Sequence, residues 1–414
     1  MSHDDPPADD PNDPTPSDPF SGLPFAGDLF RAMGAAGPEG DHGRQIAMSV
    51  ATGNRSEPNV DPMERIEWER LVRVAELQVA DRTGLDVVRG HALTIEPVTR
   101  AAWASRSFDA LRPLLGRLAE TLNEGPAFDD VPVGLEDDPT AAWMQGLLAG
   151  VMSGTLVGRL AVRSLGTYDL PIPRSDDSLL VVAPNVADFG SEWNLPADDL
   201  RLWVCLHEAV HHAVLGVPHV RSALTDLLTR HAGAFRNDPA PLQELMDDLD
   251  LAPLQKLMGD LGPMAGPEAL MQLQQVMVEL QQVISPDLVL GAVRSPEQEA
   301  LLPRIEALVA AVIGYSDHLM DEIGGRLVTN YPMLTEALRR RRVQTDDADR
   351  FIERILGLNL TQEQGDRGTA FVAGVVDRAG DDGLRRLWAD ERHLPTPNEV
   401  DAPGLWLARI DLDD

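Results

Sequence analysis

His207, Glu208 and His211 stand in the order His-Glu-x-x-His. On a helix, two histidines four residues apart lie on one face a turn apart, so both imidazoles can reach one metal ion. Glu208, beside the first histidine, can hold and deprotonate a metal-bound water. Zn²⁺ is the metal this pattern suits, with His207 and His211 as ligands and Glu208 as general base. The element that must carry them spans 200–214. Leu200, Trp203, Val204, Leu206, Val210 and Val214 give it an apolar body, Pro196, Asp198 and Asp199 mark its start, and Gly216-Val217-Pro218 ends it. A chance occurrence would often fall in a loop or on a polar face. Three ionisable groups on a buried apolar helix instead cost several kcal/mol unless they are paired or metal-bound. His212 is turned about 100° from His211 and reads as a structural or surface histidine, and Cys205, roughly 200° from His207, as a small buried hydrophobe.

The chain of 414 residues has room for a large core. Its formal net charge of −32 repels nucleic acid and anionic membrane, so neither is expected as a partner. Lys256 is the only lysine, a bias of composition and not a device. Cys205 is the only cysteine, so no intrachain disulfide is possible, and a reducing cytoplasm fits. Four regions are expected. Residues 1–40 form an acidic, proline-rich, disordered tail without the charged start or apolar centre of a secretion signal. Within it Phe20, Leu23, Phe25, Leu29 and Phe30 make an apolar island that can dock on the body.

Residues 41–236 form the body, mostly helical. Helices are expected over 61–83, with Ile66, Leu71, Val74 and Leu77 at helical spacing, and over 99–122, where Pro113 can break or kink the run. Residues 141–158 carry no charge, but Gly146, Gly150, Gly154 and Gly158 recur every fourth residue, which suits a core helix closely packed on another and not a membrane span. Ser178-Leu-Leu-Val-Val-Ala is the best strand, able to brace the metal helix or to pair with an extended peptide along a free edge. Residues 237–295 are a Met- and Gln-rich helical insertion, with Pro241-Leu-Gln-Glu-Leu-Met echoed by Pro253-Leu-Gln-Lys-Leu-Met. Residues 296–414 are a helical C-terminal part that supplies the second half of the site between 303 and 323. Arg339-Arg-Arg-Arg reads first as intramolecular ion pairs and second as a seat for a substrate carboxylate.

Several stretches together resemble one family. Asn59-Val-Asp-Pro-Met-Glu-Arg, Leu165-Gly-Thr-Tyr-Asp, Val181-Val-Ala-Pro-Asn, Asp199-Leu-Arg-Leu-Trp-Val-Cys-Leu-His-Glu-Ala-Val-His-His, Gly314-Tyr-Ser-Asp-His-Leu-Met-Asp and Leu394-Pro-Thr are similar to the zincin-type family of actinobacterial and related proteins. Its members are described as zinc-dependent metalloproteases or as hydrolases associated with deazaflavin coenzyme biosynthesis. The resemblance implies a mainly α, zincin-like helical fold with a small β element before the active-site helix. It also implies a glutamate ligand just before the Gly-Tyr pair. Here that position is Ile313, while the aspartate one turn later is kept as Asp317. Isoleucine leaves two protein ligands where a catalytic zinc normally has three. Asp317, on the same helical face, is the expected substitute, with His318 and Glu306 as weaker ones.

Two functions follow. The first is a cytoplasmic zinc metallopeptidase acting on a peptide or protein substrate, with metal on His207, His211 and Asp317 and Glu208 as base. The second is a catalytically degenerate binding or scaffold protein, which Ile313 favours. The tail composition carries its own test: limited proteolysis should trim about the first 40 residues and leave the body intact. A tail as resistant as the body would mean the Phe20–Phe30 island is firmly docked.

Overall fold

The computed structural model describes residues 42–88, 92–123, 139–235, 295–343 and 347–413, and the expected tail and most of the 237–295 insertion lie outside them. The elements run α1 (His42–Thr52), α2 (Pro62–Thr83), β1 (Thr94–Val98), α3 (Arg100–Asn123), α4 (Pro139–Arg163), β2 (Ser178–Val182), α5 (Ala183–Glu192), α6 (Ala197–Gly216) and α7 (Pro218–Ala232). They continue with α8 (Pro296–Leu327), α9 (Tyr331–Val343), α10 (Asp347–Ile355), α11 (Gln362–Arg385), α12 (Pro397–Asp401) and α13 (Pro403–Asp413). The fold is mainly α with a small two-stranded sheet, as expected. Among the described residues no helix is long and apolar enough to cross a membrane.

A continuous apolar core extends from Ala47 to Ile410. The metal-motif helix α6 lies inside it, packed between α2 and α8. Its sequence dictates this position, since Leu200, Val204, Leu206, Val210, Val214 and Leu215 are all buried. The helix α8 starts at Ser295, whose side chain accepts from the Gln298 amide while the Gln298 side chain accepts from the Ser295 amide. This capping box satisfies two of the backbone donors that a helix N-terminus leaves unpaired. Further along α8, Gly314 and Gly368 of α11 meet backbone to backbone. A Cβ on Gly314 would lie 2.2 Å from the Gly368 carbonyl group, and one on Gly368 2.0 Å from the Ala310 carbonyl oxygen. This contact fixes how α8 is rotated and therefore which of its residues look towards α6.

β1 and β2 pair in parallel, Thr94 opposite Ser178 through Val98 opposite Val182. The other edge of β2 is also taken: Val181 bridges Gly166, the Val182 amide donates to the Leu165 carbonyl, and the Leu180 amide donates to Thr167 Oγ1 at 2.7 Å. The strand therefore braces the site, and the expectation of a free edge for peptide pairing is corrected. Two further readings change. Pro113 lies within an unbroken α3, on its exposed side, where water can replace the missing amide donor. Along α2 the buried face is Trp68, Leu71, Val72, Ala75 and Val79, while Ile66 and Leu77 are exposed. The small-residue stripe behaves as a core helix should, with Gly150, Gly154 and Gly158 lying directly against α1.

The Gly314–Gly368 contact predicts that Gly368→Ala lowers stability by about 2 kcal/mol or more, since backbone atoms block the new methyl group. Gly116→Ala in α3, where nothing lies within 4 Å of the new Cβ, should instead add roughly 0.5–1 kcal/mol. Chemical denaturation of the two variants checks both signs.

Candidate metal centre

α6 presents His207 and His211 side by side, ring centroids 4.2 Å apart and planes 39° apart. The Nδ1–H of His211 donates to the His207 carbonyl at 2.9 Å, which leaves its Nε2 as the nitrogen with a free lone pair. Trp203 stacks on His207 at 5.0 Å, and Tyr168 on His211 at 6.2 Å. Burial pushes the His207 pKa down to about 4, against the opposing charge of Asp169. Burial and the neighbouring His207 push that of His211 down to about 3. Both rings are therefore neutral at pH 7, the form that binds metal.

Glu208 is buried beside them at 1% exposure. Its carboxylate accepts from the Thr167 amide at 2.8 Å and the Tyr168 amide at 3.2 Å. Gly166 makes this approach possible, because a Cβ there would lie 2.4 Å from Glu208 Oε1. Burial, helped by the charge of Asp169, raises the Glu208 pKa to about 8, while the two amides pull it down. His207 Nδ1 lies 3.5 Å from Glu208 Oε1.

His212 is a structural residue and is not on the surface. It is 1% exposed, its Nδ1 lies 2.9 Å from the Tyr168 hydroxyl and its Nε2 3.0 Å from Asp177 Oδ1. A carboxylate at Nε2 fixes the proton there, so Nδ1 accepts from the tyrosine. The chain Asp177–His212–Tyr168 thus steadies the ring that stacks on His211.

The imidazoles face a cavity of about 220 Å³. Three arginines reach it. Arg163 pairs with Glu353 and, at 3.4 Å, with Asp349, and Arg341 pairs with Asp169 at 3.0 Å and donates to the Arg163 carbonyl. Arg342 pairs with Asp317 at 3.3 Å. Burial raises the Asp169 pKa, but the charge and hydrogen bond of Arg341, the neighbouring His207 and the Leu165 amide together bring it below its ordinary value. Arg340 points elsewhere, over Trp193 and onto Glu336.

Ile313 is on the cavity wall, at the place where the resemblance expects a glutamate. Asp317 is one turn on, 36% exposed, with its carboxylate on Arg342. Glu306 accepts from Asn359 at 3.1 Å. His318 forms, with Glu322 and Asp381, the one group of three possible metal donors within 4.8 Å of one another among the described residues. Arg82 already pairs with both of those carboxylates, at 2.6 and 3.1 Å. The structure thus brings His207, Glu208 and His211 to one cavity and leaves Asp317 off its wall, and sequence reasoning gave no role to Asp169, Asp349, Glu353 or the Tyr168 contacts. The one available signal was Leu165-Gly-Thr-Tyr-Asp, noted as a family fragment but given no role.

A family model described as zincin-like metallopeptidase matches residues 41–407. The chain belongs to that family. Among solved structures it is similar to a Chloroflexus aurantiacus protein of novel fold that was assigned provisionally as a hydrolase. The two are 24% identical with a TM-score of 0.59, over 89% of this chain and 97% of that one, a likeness that shows the fold alone. No curated protein matches the chain.

The buried pair at the centre predicts that Asp169→Ala costs about 2 kcal/mol in denaturant unfolding. This is below the ~3–5 kcal/mol of a fully buried pair because Asp169 and Arg341 keep 13% and 28% exposure. A neutral result would mean that Arg341 finds an equivalent partner.

Proposed function

We propose that this protein is a zinc-dependent metallopeptidase acting on a peptide or protein substrate, with His207, His211 and Asp317 as metal ligands and Glu208 as general base. The observation that carries the reading is the pair of neutral imidazoles, 4.2 Å apart on a cavity wall, with a buried carboxylate on the next residue. The donor set fits zinc, since imidazole nitrogen is a preferred ligand and neither ring has a proton to displace at pH 7. Zinc bound there would polarise a scissile carbonyl and bring a water pKa to ~7.

The chain's own groups divide the remaining work. The Thr167 and Tyr168 amides hold the Glu208 carboxylate, whose high proton affinity suits taking a proton from water and passing it to the leaving amine. A nearby cation would lower that affinity and favour the carboxylate form. Trp203 and Tyr168 fix the imidazole planes by stacking. Asp317 must leave Arg342 to serve as the third donor. The charge of −32 makes nucleic acid and anionic membrane poor partners, and the free, buried Cys205 suits a cytoplasmic location.

A second reading is favoured by Ile313. With an apolar residue on the wall and Asp317 tied to Arg342, the fold can serve as a binding or scaffold protein without turnover. Metal analysis of protein purified without added zinc separates the two. On the enzymatic reading zinc is present, His207→Ala and His211→Ala lose most of it, and Glu208→Gln keeps it. Asp317→Asn also strips zinc if Asp317 is the third donor, whereas Ile313→Glu raises affinity if that place is simply vacant. Metal-free protein that neither substitution changes would leave the scaffold reading.

A further inference from the structure

A second cavity of about 240 Å³ adjoins the metal cavity, and a third of about 720 Å³ adjoins the second. Arg163, Leu165 and Arg341 line both the first and the second, and Arg100 and Val162 line both the second and the third. The end of α4 shows how close they lie. Residues 162–165 border all three, and three residues of chain span at most ~11 Å. Beyond Val162 the third cavity continues along the connection between α1 and α2 and is lined as well by the start of α5.

The walls change in character along this row. In the first cavity Arg163 and Arg341 are paired with Glu353 and Asp169. In the second, Asp188 and Asn185 hold Arg100, and the Phe189 and Trp193 rings, 6.2 Å apart, supply apolar wall. Glu192 of the second and Glu64 of the third make no side-chain hydrogen bond or ion pair among the described residues. Asp61 adds a third carboxylate and Arg55 opposes them, so the charge left over is acidic. Val162, between the second and the third, is apolar and 51% exposed. A compact ligand fills one cavity. An extended polypeptide advances ~3.3 Å per residue and sends its side chains alternately to either side, so it can drop one into each of a row of cavities and lie across the ridges between them. The net charge of −32 attracts a basic chain and repels an acidic one.

We propose that the three cavities are one binding track for an extended, neutral to basic segment of a polypeptide. The segment lies over the α1–α2 connection at one end and reaches the two histidines at the other, passing the end of α4 and the side of α5. The proposal rests on the peptidase reading for what happens at the histidine end, but the binding it describes needs no metal.

The test uses a capped decapeptide of glycine, serine and alanine with two lysines, a tetrapeptide cut from it, and a decapeptide with glutamates in place of the lysines. Binding to the full-length protein is measured by calorimetry, as purified and after chelator dialysis, with zinc and peptide cleavage followed on the same samples. One basic decapeptide should bind per chain, ~10-fold tighter than the tetrapeptide, because linked segments occupy adjoining cavities. A benzophenone at one end of the decapeptide should label residues 50–64, and at the other end residues 165–171 or 203–211. Glu64→Gln with Glu192→Gln should weaken the basic decapeptide about fivefold. Glu363→Gln with Asp377→Asn, an equal loss of exposed charge away from all three cavities, should leave it unchanged. Absent or length-independent binding, labels from both ends in one cavity or outside the row, equal effects of the two charge pairs, or tighter binding of the acidic decapeptide would overturn the proposal. The expected labels on protein that holds no zinc and cleaves nothing would defeat the peptidase reading alone. Zinc-loaded protein that cleaves peptides but carries the labels elsewhere would defeat only the track.

Discussion

The hydrogen bonds from the Thr167 and Tyr168 amides to Glu208 are the interaction on which the site depends. A carboxylate at 1% exposure needs donors, and only backbone brought within reach by a side-chain-free residue can supply them here. Once Gly166 lies against Glu208, its neighbours are fixed as well. Thr167 ties the segment to β2, Tyr168 reaches His212 and stacks on His211, and Asp169 meets Arg341 of α9. One short segment thus joins the strand, the metal-motif helix and the C-terminal helices around a single cavity.

The charges in that cavity form a balanced set and do not create a one-signed field. Arg163, Arg341 and Arg342 line it with Glu353, Asp349 and Asp169, and Arg342 also meets Asp317 outside the lining. Burying ion pairs brings little net stability, because desolvation consumes most of the attraction. Several of them are nevertheless retained around the two neutral imidazoles, where they keep the cavity wall polar.

How much could be read beforehand differs by the range of the interaction. The helix expected over 200–214 is α6, because apolar spacing and the Pro-Gly punctuation are local signals. Ser178–Val182 was legible for the same reason. Its closed edges were not, since one partner strand lies far back in the chain and contains Pro97, which reads as a break, and the other partner is a loop. Along α2 the spacing was right, but Ile66 and Leu77 face water, an ordinary fate for apolar residues. Asp169 escaped notice because what makes it important, Arg341, is distant in sequence. The expectation that the arginine run makes intramolecular ion pairs holds for Arg340, Arg341 and Arg342. Asp317 was singled out through its relation to Ile313, and no local pattern announces its pairing with Arg342.

The central claim is that α6 carries a zinc seat built from its two histidines. X-ray absorption spectroscopy of protein loaded with one equivalent of zinc tests it directly. The account predicts two imidazole nitrogens at about 2.0–2.1 Å with the remaining donors oxygen. A spectrum with sulfur at about 2.3 Å, or with oxygen donors alone, would contradict it.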